Sequence, residues 1–322
     1  MPESYNTLTG LVQFNDKNLA DLNVTDLLQD APLLNVITTV PASNGTQHKY
    51  LKQTTASSAA YRAALTGIAK TASADTLVTD TLKILDGSFD TDVALADAFK
   101  GGRDAWLQKE LVRTMKQVFA VAEKQIYYGA ASPGSTSGPT GLRDNAQLDA
   151  LGDTMVVDAG GSNVATQTSC YLLRHGIDDV AFVLGNDGKI VVEDEPTIIQ
   201  KYSTAELAAS TSYPALYVPV TGYSCLQIGG AYSAARIANI ECLVLSSTTA
   251  FTDVHLMTAL SRFPGGRSPN VIVMNRNAQL LLWNSRSAFS PTGAPAAVPM
   301  DFMGIPFVIT DQLVSTEAVE TA

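Results

Sequence analysis

The strongest periodic pattern in the chain lies between residues 103 and 128 and predicts a long helix. Leu111, Val118 and Ala122 recur there at helical spacing, and neither proline nor glycine interrupts the segment. Glycines mark both ends, with Gly101-Gly102 before it and Gly129 after it. The 26 residues would form a rod of about 39 Å. We expect Leu111 and Val118 to be buried on one stripe of this rod.

Alternating and β-branched residues in two earlier segments, 46–55 and 76–85, predict a pair of strands. The segment between them, Ala56–Ala74, is rich in Ala, Ser, Thr and Gly. The pattern therefore predicts a long hairpin with a soft tip. A lone hairpin is marginal in water, so this one should lie against another surface.

Residues 1–35 predict a polar arm that contains one short helix. Thr25 is suited to cap the start of this helix, and Pro32 is expected to stop or kink it. Such a polar arm has little apolar surface of its own to bury. We therefore expect it to lie on something else.

The chain beyond the long helix predicts a strand-rich region followed by alternating helices and strands. The predicted helices at 252–262 and 277–286 alternate with buried strands at 271–274 and 305–309, which favours a small α/β unit. The long connection between the two strands would allow a parallel crossover, so we expect them in one sheet. Earlier strands are expected at 154–157, 170–173, 180–184, 190–193, 216–220, 226–228 and 234–237.

One short motif in the strand-rich region is a strong turn signal. Asn186-Asp187-Gly188 separates two predicted strands. Asn, Asp and Gly in succession favour the tight turn of a β-hairpin. We expect the flanking strands to pair with each other.

Composition narrows the class of protein. Hydrophobic residues make up 46% of the 322 residues and charged residues 16%, which excludes a chain that is disordered throughout. No apolar run is long enough for a membrane span, and the N-terminus does not have the pattern of a signal peptide. The formal charge of −10 argues against a surface that grips nucleic acid through clustered cations. We expect no membrane association.

The chain offers few groups that could form a catalytic, cofactor or metal site. No Gly-x-Ser-x-Gly motif accompanies its histidines, although a hydrolase stays open as an alternative because triads are recognised by geometry. The cysteines match neither a zinc pattern nor a disulfide framework. We expect no catalytic residue, cofactor or metal. The histidines and cysteines are His48, His175, His255, Cys170, Cys225 and Cys242.

Glycine pairs and acidic clusters have simple structural interpretations. Gly101-Gly102 and Gly265-Gly266 each precede an arginine, but neither pair continues into a nucleotide-binding loop. The acidic groups at 86–92 and 193–195 do not have the spacing of a calcium loop. We interpret the acidic groups as solvated surface, with ion pairs between subunits as the alternative.

A basic stripe on the long helix has two interpretations. Lys109, Arg113 and Lys116 lie on one face, and Lys124 extends the row. The first interpretation is a solvated face partly paired within the helix, for example Glu110 with Arg113. The second is a stripe that faces acidic residues of a neighbouring subunit, or a polyanion.

The order of the elements and several short motifs resemble the major capsid proteins of tailed bacteriophages, which have the Hong Kong 97-like fold. The arm and the long hairpin have little core of their own, so they would be poorly supported in a monomer. They suit a shell subunit, in which such segments reach across neighbouring copies. The resemblance covers nearly the whole chain through short motifs. They are Tyr5–Thr9, Tyr127-Tyr128-Gly129, Gly141-Leu142-Arg143, Ala235–Ile240, Val273–Arg276 and Gly304–Val308.

The resemblance implies an α+β fold divided in a particular way. Residues 1–35 would be the N-arm and 36–92 the E-loop hairpin. Residues 93–240 would be the peripheral domain, with the spine helix at 103–128, and 241–322 a C-terminal α/β axial domain in a permuted variant of the fold. Candidate contacts between subunits are Lys49, Lys52, Tyr61, Lys70, Lys109, Arg113 and Lys116.

The implied function is an icosahedral shell of pentamers and hexamers around the double-stranded DNA genome of a tailed phage. The partners would be further copies of the chain, a portal and a cement protein. Because no long scaffolding extension precedes the arm, the resemblance also implies either a separate scaffolding protein or none. DNA would be enclosed without sequence-specific binding. Assembly in the host bacterial cytoplasm and residence in the virion follow. The alternatives are an encapsulin-like nanocompartment shell and an unrelated soluble hydrolase.

Overall fold

The computed structural model describes residues 29–193, 196–202, 212–244, 250–288 and 295–321. Its α-helices in these ranges are α1 (Val93–Ala98), α2 (Arg103–Tyr128), α3 (Asp253–Ser261) and α4 (Arg276–Ala288). The strands before α2 are β1 (Thr39–Pro41), β2 (Gln47–Thr55), β3 (Ala74–Thr81), β4 (Lys83–Asp86) and β5 (Phe89–Asp92). Those after it are β6 (Val156–Asp158), β7 (Gln167–Leu173), β8 (Val180–Leu184), β9 (Val191–Val192), β10 (Thr197–Lys201), β11 (Tyr213–Val218), β12 (Val220–Ile228), β13 (Ala234–Glu241), β14 (Val271–Met274), β15 (Asp301–Phe302) and β16 (Ile305–Ile309).

A six-stranded sheet contains much of the main core. Its order is β15-β16-β14-β7-β13-β6, and every residue of β7 and β14 is buried. Strands that are buried on both faces need continuous apolar runs, and Val271–Met274 is such a run. The helices α3 and α4 contribute Leu256, Leu281 and Leu282 to the same core.

The predicted pairing of the two late strands is confirmed. β14 and β16 are parallel, with Ile272 opposite Phe307. β14 also pairs with β7 in antiparallel fashion, where Ile272 lies opposite Leu172. The expected boundary between residues 240 and 241 therefore passes through one sheet, because β6, β7 and β13 join the late strands in it.

Two further sheets lie beside the long helix. One has the order β1-β8-β12-β4, with β9 also paired to β12, and the other has the order β10-β11-β5. Since β1, β4 and β5 belong to these sheets, the hairpin is shorter than the expected range 36–92. Its two strands, β2 and β3, pair only with each other among the described strands.

The turn at Asn186–Gly188 forms, but the hairpin predicted around it is wrong. All three residues have positive φ, as a tight turn requires. However, β8 and β9 do not pair with each other; both pair with β12, and both run antiparallel to it. The turn therefore belongs to a loop that connects two strands, each of which pairs with β12.

The long helix α2 has the predicted bounds. Gly102, with a φ of 84°, precedes it, and Gly129, with a φ of 55°, ends it. Val118 is 5% exposed, as expected, but Leu111 is only partly buried. The fully buried stripe is concentrated in the second half of the helix, because that half packs on the six-stranded sheet while the first half contacts the smaller cluster around Trp106.

The predicted helix after Thr25 lies outside the described residues. Pro32 begins a short 3-10 helix, Pro32–Asn35. Proline suits the first position of a helix because the N–H it lacks has no partner there. Leu33 from this turn is completely buried.

A buried cation connects the six-stranded sheet to the C-terminal segment. Arg236 of β13 is 1% exposed, and its Nη2 lies 2.7 Å from Glu320 Oε2 and 3.7 Å from Glu317 Oε2. Its Nε donates to Ser169 Oγ at 3.1 Å, and Ser169 in turn donates to Glu317. Tyr128, at the end of α2, donates to the other oxygen of Glu317 at 2.6 Å. One network thus joins the helix end, the sheet and the tail.

We predict that Arg236→Ala lowers the unfolding free energy by about 3–5 kcal/mol. The reason is that the buried carboxylates of Glu317 and Glu320 would lose their cationic partner. Chemical denaturation of the unassembled subunit measures the change. Arg103→Ala, which removes an exposed ion pair with Asp97, is the control and should have little effect. Similar losses in both variants would contradict the role of the network.

Candidate assembly surfaces

The hairpin of β2 and β3 is the most exposed part of the described chain. Leu51 lies opposite Leu77, and both are more than half exposed. At the tip, Tyr61 and Leu65 are fully exposed. Apolar side chains in such positions gain nothing from the subunit's own core, so the tip has the character of a contact surface.

One face of the hairpin base is fixed to the body. His48 is buried and its Nε2 lies 2.8 Å from Gln227 Oε1, while the Tyr50 hydroxyl donates to the Ile228 carbonyl at 3.1 Å. The backbone N–H of Ser43 donates a hydrogen bond to His48 Nδ1. The ring proton is therefore on Nε2, which donates a hydrogen bond to Gln227 Oε1. Burial, with nearby Asp80, raises the pKa of Tyr50 to about 12. The base of the hairpin, its root, is therefore held by hydrogen bonds to two residues of β12, Gln227 and Ile228.

The four candidate contact residues of the hairpin are not equivalent. Lys49 is exposed, as are Tyr61 and Lys70 at the tip. Lys52 is partly buried and lines a surface pocket with Asp80 and other residues of its own chain. The alternation of the strand explains this difference, because Lys49 and Lys52 point to opposite faces.

The basic stripe on α2 is also divided by its contacts. Lys109 Nζ lies 5.2 Å from the ring centroid of Trp106 and 5.6 Å from that of Phe99, and burial lowers the pKa of Lys109 to about 8. Arg113 pairs with Glu110 at 3.0 Å, as the first interpretation of the stripe suggested. Lys116 is exposed.

A buried carboxylate joins the start of the described chain to α2 and to the late sheet. Glu123 Oε2 accepts from Leu33 N at 2.9 Å, and its Oε1 accepts from the hydroxyls of Tyr127 at 3.0 Å and Thr310 at 2.5 Å. Burial raises the pKa of Glu123 above its usual value, although these bonds favour the ionised form. The carboxylate fixes the place where the N-terminal region reaches the helix.

The loop after α2 is organised by a single amide. Gln125 Nε2 donates to the carbonyls of Gly129, Ser135 and Pro139, and its Oε1 accepts from Ser135 N. Gly129 must be glycine, because its φ is positive and a Cβ there would lie 1.7 Å from an oxygen of Asp144. The Ser, Gly and Pro composition thus encodes an ordered loop.

The histidines have structural partners rather than a shared catalytic geometry. His175 Nδ1 lies 3.1 Å from Thr38 Oγ1, and His255 caps its own helix by accepting from Thr252 N. Cys170, Cys225 and Cys242 are buried, and burial raises the pKa of each thiol. Among the described residues, no group of three His, Cys, Asp or Glu side chains is placed to hold a metal ion.

The predicted acidic clusters have local roles where the structure describes them. Asp86 accepts from Ser88 N, and Asp92 caps α1 by accepting from Ala94 N. Asp90 pairs with Lys201. Glu193 is described, whereas residues 194 and 195 lie outside the described ranges. No helix in the described parts of the chain is long and apolar enough to cross a membrane.

An exposed hairpin fixed at its root and a long helix packed on a sheet suit a subunit that is completed by its neighbours. Residues 16–321 match the protein family described as major capsid protein GP7. The chain belongs to this family. Its role is therefore structural, as a subunit that forms a capsid shell, and its place is the virion capsid.

Solved structures support the fold assignment. A chain of bacteriophage Epsilon15 is similar with a TM-score of 0.70 at 18% identity, covering 100% of this chain and 99% of that chain. A chain of the bacteriophage JBD30 capsid is similar with a TM-score of 0.51 at 11% identity, covering 95% and 99%. The α+β, Hong Kong 97-like fold is thus confirmed. A search of curated proteins finds no match.

We predict that the Glu123 carboxyl makes stability depend on pH. Because its pKa is raised on folding, the folded subunit retains a proton that the unfolded chain releases above the ordinary pKa of 4.5. The unfolding free energy of the wild type, relative to Glu123→Gln, should therefore fall as the pH rises from 4.5 through the raised pKa.

Urea titrations of both proteins from about pH 4 to about pH 8 measure this difference. Glu110→Gln is the control, since Glu110 is a partly exposed glutamate of the same helix that pairs with Arg113 near the surface. A difference between wild type and Glu123→Gln that stays constant across this range would contradict the prediction.

Proposed function

We propose that the chain forms pentamers and hexamers of an icosahedral shell that encloses the double-stranded DNA genome of a tailed phage. The observation that carries this proposal is the exposed hairpin. Its Tyr61 and Leu65 side chains are fully exposed in the isolated subunit. A shell brings neighbouring copies close enough to cover them.

The contacts within the subunit rank the candidate residues for this role. Lys49, Tyr61, Lys70 and Lys116 are exposed and available to a neighbour. Lys109 lies over the Trp106 ring and Arg113 pairs with Glu110, while Lys52 is partly buried and lines a pocket with Asp80. We therefore assign these three cations to support of the hairpin root and of the first half of α2.

We further propose a division of labour along the chain. The N-arm would comprise residues 1–35, and the hairpin β2–β3 would act as the E-loop. The sheets that contain β8 and β12 would form the peripheral part, and the six-stranded sheet the axial part. This assignment modifies the sequence-based division because the six-stranded sheet includes strands from both sides of residue 240.

The remaining partners follow from the same proposal. Assembly in the host cytoplasm would use a separate scaffolding protein, a portal and a cement protein. The formal charge of −10 favours enclosure of DNA without a strong, sequence-specific grip by the shell. A purely structural role without catalysis fits side chains that are used for packing and internal hydrogen bonds.

Electron microscopy of purified, co-expressed assemblies tests this function. We predict that replacing Leu51–Thr79 with a short Gly-Ser linker abolishes shells but keeps the cooperative melting of the subunit. The physical reason is that the replacement spares the root contacts of His48 and Tyr50 while it removes the exposed tip. A linker of equal composition inserted after Gly188, in an exposed turn, is the control.

Three outcomes would contradict parts of the proposal. Wild-type protein that stays monomeric with every assembly factor would exclude a shell subunit. Shells that form normally without the hairpin would exclude its bridging role. Shells that contain an enzyme instead of DNA would favour the nanocompartment alternative.

A further inference from the structure

The tight turn that precedes β2 contains the one asparagine of the chain that glycine follows, Asn44-Gly45. Asn44 N donates to the Gln47 carbonyl at 3.0 Å, and Gln47 N donates to the Asn44 carbonyl at 3.2 Å. Gly45 and Thr46 form the two-residue loop between these hydrogen bonds, and both are exposed. The turn is therefore closed by its backbone, while its loop projects into solvent.

The side chain of Asn44 is available for reaction. It is exposed, and no hydrogen bond within the described parts of the chain uses its carboxamide. Other asparagines have structural duties that would resist a chemical change. Those whose carboxamides make hydrogen bonds are Asn145, Asn163, Asn239, Asn270, Asn275 and Asn277.

The backbone amide of Gly45 is open on the side of this carboxamide. No hydrogen bond of the described residues uses the Gly45 N–H. A Cβ placed on Gly45 would have no heavy atom within 4 Å, so the space around the residue is free. Glycine also lacks the side chain that hinders the backbone nitrogen of other residues. An exposed carboxamide and an unhindered amide nitrogen in succession can close a five-membered ring.

We propose that Asn44 is a site of spontaneous deamidation, which converts it to aspartate and isoaspartate beside the hairpin root. Gly45 N loses its proton to hydroxide and bonds to Asn44 Cγ, the Cγ–Nδ2 bond breaks, and ammonia leaves. Water then opens the resulting succinimide at either of its two carbonyl carbons. The net reaction consumes one water and releases one ammonia, so it needs neither an oxidant nor a reductant.

The isoaspartate product loosens the hairpin root. Its main chain runs through the former Asn44 side chain and contains one extra carbon atom. Ser43, directly before it, donates from its N to His48 Nδ1, and its Oγ accepts from Lys49 N at 2.7 Å. A longer connection between Ser43 and β2 displaces the partners of both bonds. This inference concerns the single subunit and does not depend on the proposed shell function.

Mass spectrometry of the full chain, kept folded at about pH 7 and about pH 9, tests the proposal, because the attacking amide must first lose its proton. We expect conversion of Asn44 that is faster at the higher pH and yields isoaspartate. Gly45→Ala should lose most of this conversion, since its methyl group hinders ring closure while the free space keeps the turn intact. Asn270, which is bonded to His175 and precedes valine, is the internal control and should stay unchanged.

Hydrogen exchange separates the added charge from the longer main chain. The Lys49 amide should exchange faster in the isoaspartate fraction than in the unmodified protein. In Asn44→Asp, which adds the same charge without the extra atom, it should exchange at the unmodified rate. Equal exchange in the isoaspartate fraction and in Asn44→Asp would overturn the loosening of the root.

The same full chain unfolded in urea is the reference for the chemistry. Conversion of Asn44 in urea but not in the folded chain would show that the turn protects the residue, and would overturn the proposal. Conversion in neither state would overturn it as well. Equal conversion of Asn44 and Asn270 in the folded chain would contradict the selection of Asn44 by its exposure and its glycine neighbour.

Discussion

A guanidinium in the interior needs compensating charge and hydrogen bonds, and the folded body is arranged so that Arg236 obtains both. Glu320 and Glu317 come from the last residues of the chain, and Ser169 comes from the centre of the six-stranded sheet. Since Tyr128 donates to Glu317, the end of the long helix is included. Elements distant in sequence are thereby fixed relative to one another, which gives the shell subunit a rigid body.

That rigid body contrasts with the hairpin that projects from it. Within the body, buried polar groups such as Glu123 and Gln125 are satisfied by specific partners and hold the N-terminal region and the loop after the helix. The hairpin has polar attachment at its root and exposed leucines beyond it. Folding therefore leaves unburied surface on the hairpin, and assembly with further copies is the process that can bury it.

Local patterns identified the elements, but not their long-range pairing. The bounds of the helix at 103–128 followed from flanking glycines, and the β14–β16 pairing followed from two apolar runs with a long crossover. Strand partners about 100 residues apart in the chain, such as β7 and β14, have no local signal. The sequence predicted the turn at Asn186–Gly188 but not the strand pairing around it, because both neighbouring strands pair with β12.

The account is tested most directly by comparing hydrogen exchange in unassembled subunits with that in assembled shells. The comparison shows whether the body is protected in both states and whether the hairpin becomes protected only when neighbouring subunits cover it. The account predicts that amides of β7 and β13 are protected in both states, because they lie inside the six-stranded sheet. Amides of residues 56–73 should exchange fast in the subunit and become protected in shells. Equal exchange of these tip amides in both states, with the shells intact, would contradict the account.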